Sequence, residues 1–125
     1  MNLTFHRLCD LKPLLVAVYE IEARVKKETG LSVNEAMALC SLQNQDRNQL
    51  DLGIELHLGA TRTSRLVSSL LEKSIVQSTP DPTDRRKNIL SLTPVGTELA
   101  QRLKYLEPKL FPMTVIKEVE PWLST

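Results

Sequence analysis

The sequence predicts a mainly helical domain with one β-hairpin, and three observations lead there. Apolar residues recur at i, i+3, i+4 and i+7 over several stretches, the spacing that lines one face of an α-helix. Aromatic residues make up only 4% of the chain, so Leu, Val, Ile, Ala and Met must build the core, which suits packed helices. Finally, the turn-rich, cationic run Asp81-Pro82-Thr83-Asp84-Arg85-Arg86-Lys87 leads into Ile89-Leu90-Ser91-Leu92, where Leu90 and Leu92 alternate with a polar neighbour as a half-buried strand does.

Taken in order, Leu11, Leu14, Leu15, Val18, Ile21 and Val25 form the stripe of a first helix over about residues 10–28. Pro13 fits its first turn, where a missing N–H costs little, and Gly30 is placed to end it. Ser32-Val33-Asn34-Glu35 is a capping box, with the Ser hydroxyl and the Glu carboxylate satisfying N–H groups reciprocally. It opens a second helix expected to bury Val33, Ala36, Met37 and Cys40. Residues 44–48 are polar and read as a turn. A third helix runs from about Gln49 to His57, offering Leu52, Ile54 and Leu56 to the core. Gly53 inside it costs roughly 1 kcal/mol relative to Ala, which close approach of a neighbouring helix would justify. After a tight turn at Gly59, a fourth helix covers about Ala60–Lys73, with Thr63, Leu66, Val67, Leu70 and Leu71 facing inward. Short strands at Ile75–Thr79 and Ile89–Leu92 flank the cationic loop. Thr93-Pro94 then reads as an N-cap with proline at the first helical position. Leu99, Leu103, Leu106 and Leu110 stripe a fifth helix, which Pro108 is expected to kink or end. A short helix over about residues 114–120 is the last element expected before Pro121.

The chain of 125 residues is read as one domain, with a winged lobe over 31–92 and helical regions at 1–30 and 93–125. An apolar fraction of 42% is that of an ordinary folded protein and argues against disorder. Net charge is only +1, yet residues 60–90 hold six Lys and Arg against three Asp and Glu, while residues 1–59 hold six against eight. The positive charge is thus concentrated in one segment. Two cysteines, Cys9 and Cys40, are too few for a disulfide framework and point to a reduced, cytoplasmic setting. No apolar run approaches the roughly 18 residues of a membrane span, and no secretory leader is recognised at the N-terminus.

Helix, helix, helix-turn-helix, strand, strand, helix is the order of a winged helix-turn-helix: a three-helix core plus a β-hairpin wing, with helical extensions at both ends. In such an arrangement one helix reads base edges in the major groove while the hairpin tip reaches the backbone or the minor groove. The candidate DNA-contacting residues follow from that placement. Thr61, Arg62, Ser64, Arg65, Ser68 and Ser69 lie on the outer face of the fourth helix, and Arg85, Arg86 and Lys87 at the tip. Each cation could instead be an ordinary solvated side chain, but clustered cations on a groove-facing surface release counterions from DNA. Asp84 is expected to orient one of the wing arginines through a charge-assisted bond.

These residues carry a resemblance to the MarR family of bacterial transcription regulators. Gly30-Leu31-Ser32 with Glu35, Leu52-Gly53 with Leu56, and Thr63-Ser64-Arg65-Leu66-Val67 with Leu70 and Glu72-Lys73 match its helices. Asp81-Pro82-Thr83-Asp84-Arg85-Arg86 followed by Leu90-Ser91-Leu92-Thr93-Pro94-Val95-Gly96 matches its wing and the helix beyond. The resemblance covers about residues 10–110, and the wing is its most specific part. It implies a homodimer, formed through the first and last helices, acting on double-stranded DNA at a near-palindromic operator. It also implies one wing arginine in the minor groove, and in some members a small lipophilic or phenolic effector. Three departures stand out: Ser74 where the family often has Gly, Gln77-Ser78 where it usually has an Arg in the first wing strand, and a C-terminal region broken by Pro108, Pro112 and Pro121.

Two alternatives remain beside this reading. One is a winged helix that binds another protein. The other is a thiol-based peroxide-sensing repressor using Cys9, since some members sense organic peroxides through a cysteine near the start of the first helix. His6 and Arg7 lie near Cys9, but the second helix lacks the tyrosines those sensors use. Cys40 is expected in the core. His6 and His57 lack metal-ligand spacing, no cofactor motif is present, and no Ser/His/Asp pattern, phosphate loop or paired carboxylates suggest an enzyme.

Overall fold

A computed structural model describes residues 5–111. The helix expected over residues 114–120 lies outside the described residues, as do Pro112 and Pro121. A 3₁₀ turn, Leu8–Leu11, leads into α1 (Lys12–Thr29), followed by α2 (Val33–Asn44), β1 (Arg47–Asn48), α3 (Gln49–Leu56), α4 (Ala60–Glu72), β2 (Val76–Pro80), β3 (Asn88–Leu92) and α5 (Pro94–Leu110). This is the mainly α, winged helix-turn-helix architecture that the sequence predicts.

The local signals act where expected. Pro13 sits in the first turn of α1, and Gly30 ends that helix in the left-handed conformation, its N–H bonded to the Lys26 carbonyl. Ser32 and Glu35 form the capping box of α2. Thr93 caps α5, its hydroxyl accepting from Gly96 N–H at 3.1 Å. Pro108 does not end α5, which continues to Leu110. Proline only removes one N–H there, leaving the Lys104 carbonyl without its usual donor. The Arg24 guanidinium reaches across from α1 to bond the Lys109 carbonyl in the last turn.

The sheet is antiparallel in the order β1-β3-β2. β2 and β3 pair from Val76 opposite Leu92 to Pro80 opposite Asn88, leaving a seven-residue tip at 81–87. The polar residues 44–48 read as a turn in the sequence. Arg47 and Asn48 instead pair with Leu90 and Ile89, and the Arg47 guanidinium bonds the Glu55 carboxylate of α3 at 2.6 Å. Two residues are too few to show an alternating pattern, so the strand exists through its partner.

The core gathers Val25, Leu31, Leu39, Leu42, Leu52, Leu66, Leu70, Ile75, Leu90 and Leu103, with smaller residues such as Ala38 and Ala100 between the helices. Several inward assignments need correction. On α2 the buried face is Ala36, Ala38, Leu39 and Leu42, whereas Met37 is 53% exposed and Cys40 is exposed. The apolar residues of α2 spread around much of the helix, so periodicity did not single out the packed side. Ile54 is 65% exposed, on the face of α3 opposite the buried Leu52, and Leu71 is also exposed, at the edge of the buried stripe of α4. The stripe read on α1 divides: Leu14, Ala17, Ile21 and Val25 turn toward the core, while Leu11, Leu15 and Val18 face solvent. The stripe on α5 is used within the chain, with Leu103 and Leu110 buried and Leu99 and Leu106 packed against the core.

Candidate nucleic-acid interface

Three residues, His57-Leu58-Gly59, separate α3 from α4. His57 takes the left-handed conformation with φ 56°. The Leu58 N–H reaches back to the Gly53 carbonyl and the His57 N–H to that of Ile54, the paired bonds of a Schellman motif. The two helices meet closely because Gly53 has no side chain. A Cβ there would sit 2.6 Å from the Thr63 hydroxyl oxygen. That hydroxyl donates to the Gly59 carbonyl at 2.9 Å, a bond within the first turn of α4 that fixes the side chain packed on Gly53.

α4 is sharply two-sided. Thr63, Leu66, Val67 and Leu70 are buried, and Thr61, Arg62, Ser64, Arg65 and Ser68 are exposed. Among the described residues, neither Arg62 nor Arg65 forms an ion pair. Ser69 stands apart from this group. It is half-buried, and its hydroxyl donates to Glu35 Oε2 at 2.9 Å. Beyond Glu72 the helix ends in a second Schellman motif, with Ser74 N–H bonded to the Leu71 carbonyl and Ile75 N–H to that of Leu70. Ser74 occupies the left-handed position with φ 59°, which explains why glycine suits this site better.

The wing tip is ordered by its own aspartates. Asp81 Oδ1 accepts from the Thr83 N–H at 2.9 Å and from the Thr83 hydroxyl at 2.8 Å. These bonds hold the Asp81 carboxyl below its ordinary pKa, so it stays anionic. Asp84 Oδ1 accepts from the Arg86 backbone N–H at 3.0 Å, so the bond Asp84 makes here is to the main chain rather than to a guanidinium. Asp81 N–H donates to the Lys87 carbonyl and Lys87 N–H to that of Asp84. The tip is therefore a closed, hydrogen-bonded loop with Arg85, Arg86 and Lys87 exposed. Arg86 and Lys87 also line a cleft of about 330 Å³ whose other walls include Leu50, Val67, Leu71 and Ser78. Arg86 and Lys87 thus lie across a cleft from Val67 and Leu71 of α4 and from the start of α3.

Glu35 is a site that sequence reasoning recognised only as a cap. Oε1 accepts the Ser32 N–H at 3.0 Å, and the Lys73 ammonium bonds both oxygens at 3.0 and 2.8 Å. Burial raises the pKa of this carboxyl, but the bonds from Lys73, Ser32 and Ser69 outweigh it and leave the pKa lowered. Its two faraway partners lie 34 and 38 residues along the chain, and nothing local in the sequence signals them.

Cys9 is exposed in the turn before α1. The Asp10 carboxylate in that turn accepts the amides of His6 and Arg7, each at 3.0 Å. At Cys40, partial burial and then the Glu107 carboxylate push the thiol pKa up, which disfavours a reactive thiolate. Among the described residues no helix is long and apolar enough to cross a membrane.

No family model matches the chain, and no curated protein sequence matches it. Solved structures do. AbsC, a MarR family transcriptional regulator from Streptomyces coelicolor, is similar at 18% identity with a TM-score of 0.80, over 94% of this chain and 83% of that one. Bordetella bronchiseptica BpsR, whose DNA binding is regulated by 6-hydroxynicotinic acid, gives 19% identity and 0.76, over 91% and 84%. A mutant MarR from E. coli complexed with operator DNA gives 17% identity and 0.73, over 98% and 96%. The chain has the fold of these regulators along nearly its whole length.

Proposed function

We propose that this chain, with the winged-helix fold of MarR family regulators as its premise, is a sequence-specific double-stranded DNA-binding transcription regulator that acts as a homodimer on a near-palindromic operator. The observation that carries the reading is the presence of two exposed cationic surfaces on neighbouring elements: the outer face of α4 with Arg62 and Arg65, and the closed wing tip with Arg85, Arg86 and Lys87, whose Arg86 and Lys87 share a cleft with Val67 and Leu71 of α4. α4 enters a major groove, where Thr61, Ser64 and Ser68 add hydroxyl donors beside the arginines. An arginine bidentate to guanine contributes about 1–3 kcal/mol of discrimination. The wing cations reach the flanking backbone and minor groove. Ser69 is left out of the contact set because its hydroxyl is engaged by Glu35.

Two copies are needed to read two half-sites about one helical turn apart. An exposed apolar face on Leu8, Leu11, Leu15 and Val18, spaced at three and four residues, supports self-association through α1. A small lipophilic or phenolic effector belongs to the same proposal, by analogy with the 6-hydroxynicotinic acid named for BpsR. It would act only by binding one spacing of the two reading helices better than the other.

The experiment is fluorescence anisotropy with a labelled duplex from the DNA upstream of its own gene, at several salt concentrations. Wild type should bind, and binding should weaken steeply as salt rises. Arg85→Ala/Arg86→Ala should bind roughly tenfold or more weakly with a shallower salt dependence. Equal binding by the two proteins removes the wing from the interface. The rival reading, a protein-binding winged helix, finds support in the exposed Leu50 and Ile54 of α3. It predicts a salt-insensitive protein partner in a pull-down and no DNA footprint.

A further inference from the structure

A carboxylate as buried as that of Glu35, 4% exposed, loses its hydration and must recover it from donors. A capping box by itself needs one oxygen, which bonds an amide at the helix start. Glu35 gives that bond through Oε1 and directs Oε2 to another element, where Ser69 and Lys73 of the α4 end meet it at 2.9 and 2.8 Å. Of the six cations between residues 60 and 90, Lys73 is the one that forms an ion pair among the described residues. Arg62, Arg65, Arg85, Arg86 and Lys87 are left to solvent. The segment therefore divides its positive charge between an outer set and one inward anchor.

The placement of that anchor matters. The start of α4 is held against α3 by the Gly53–Thr63 contact. Its end is held against α2, which in turn packs on α1 and α5. We infer that Glu35 is a positioning residue for DNA reading: through Ser69 and Lys73 it sets how the last turns of α4 sit on α2. The inference rests on the DNA-reading proposal above. Lys73 on this view holds the helix and does not itself touch phosphate.

Salt dependence separates the two roles. Anisotropy titrations of Lys73→Met and Glu35→Gln against the same duplex, with both proteins checked for folding by circular dichroism, should show affinity reduced about fivefold or more. The slope of log affinity against log salt should equal that of wild type, and Lys73→Arg should restore most of the affinity. A slope smaller by about one unit in Lys73→Met would assign Lys73 to a phosphate and overturn the inference, as would unchanged affinity. Absence of DNA binding by wild type itself would instead strike the proposed function. Positioning is then decided by amide hydrogen exchange. Faster exchange at residues 70–75 of Lys73→Met, with α5 amides unchanged, supports it. Either no change there or a uniform rise across α4 and α5 overturns it.

Discussion

Gly96 leaves no room for a side chain. A Cβ at this position would lie 2.1 Å from the Ile75 carbonyl oxygen and 3.1 Å from its carbonyl carbon, both backbone atoms that cannot swing away. The same junction is stitched by Thr93, whose N–H bonds the Ile75 carbonyl at 3.0 Å and whose hydroxyl meets the Ser74 carbonyl at 2.6 Å. The Leu-Thr-x-x-Gly run thus joins the end of α4 to the start of α5. Gly96→Ala should lower stability by about 1–3 kcal/mol in urea unfolding. A change below a few tenths would refute the close approach. Glu35 gives a second prediction at this scale. Its folded pKa lies below the ordinary value, so the stability it contributes is present above the unfolded carboxyl pKa of about 4.3 and is lost as pH falls through the folded one. Glu35→Gln should be less stable than wild type at pH 7 by about 1–3 kcal/mol. The difference should shrink from about pH 5 downward, and a gap that stays constant to pH 3 would contradict the linkage. The capping role of Glu35 was legible because Ser32 stands three residues away. Its hold on Ser69 and Lys73 was not, because no local pattern links residues so far apart.

Among the elements, α4 and the wing were the most legible. Four inward positions of α4 follow the helical period, and Arg62 and Arg65 fall on the other side by the same arithmetic. The strands of the wing are bounded by its turn residues, yet the closure of the tip depends on side-chain-to-backbone bonds that the residue pattern does not single out. Asp81 and Asp84 each turn the chain by accepting a main-chain N–H two residues on, a local habit of this residue type. Asp84→Ala should loosen the tip and weaken DNA binding several-fold, while the melting temperature changes little because the turn is exposed. Anisotropy paired with thermal unfolding checks this, and a large drop in melting temperature with unaltered affinity would contradict it. β1 escaped the sequence because two residues carry no period. α2 was misread on Met37 and Cys40 because its apolar residues lie on more than one face, and only its packing against α5 and β3 chooses among them.

For the whole molecule, assembly turns on α1 and the 3₁₀ turn before it. Their apolar surface is wider than the chain's own core can cover. Ala17 and Val25 of α1 are buried, but Leu8 of the turn remains 85% exposed, and Leu11, Leu15, Val18 and Tyr19 are also exposed. A contiguous apolar face of this kind favours burial against a partner, and a second copy is the partner that the proposed near-palindromic operator would require. Wild type should sediment as a dimer at micromolar concentration and Leu15→Glu as a folded monomer. A monomeric wild type would exclude the α1 interface. By itself the sequence determined the helices α1 to α5 and the caps of α1, α2 and α5, the two-sided α4, the cationic hairpin and, through their order, the winged helix-turn-helix. Those features depend on hydrogen bonds and periodicities spanning a few residues, which composition and spacing encode directly. Tertiary structure decided which side of each broad apolar sector is buried, the third strand, the space that Gly53 and Gly96 must leave, and the clasp of Glu35 on the end of α4. Each of those depends on what residues distant in sequence bring into contact, and a carboxylate or a methyl group has no stability value until its neighbours in space are known.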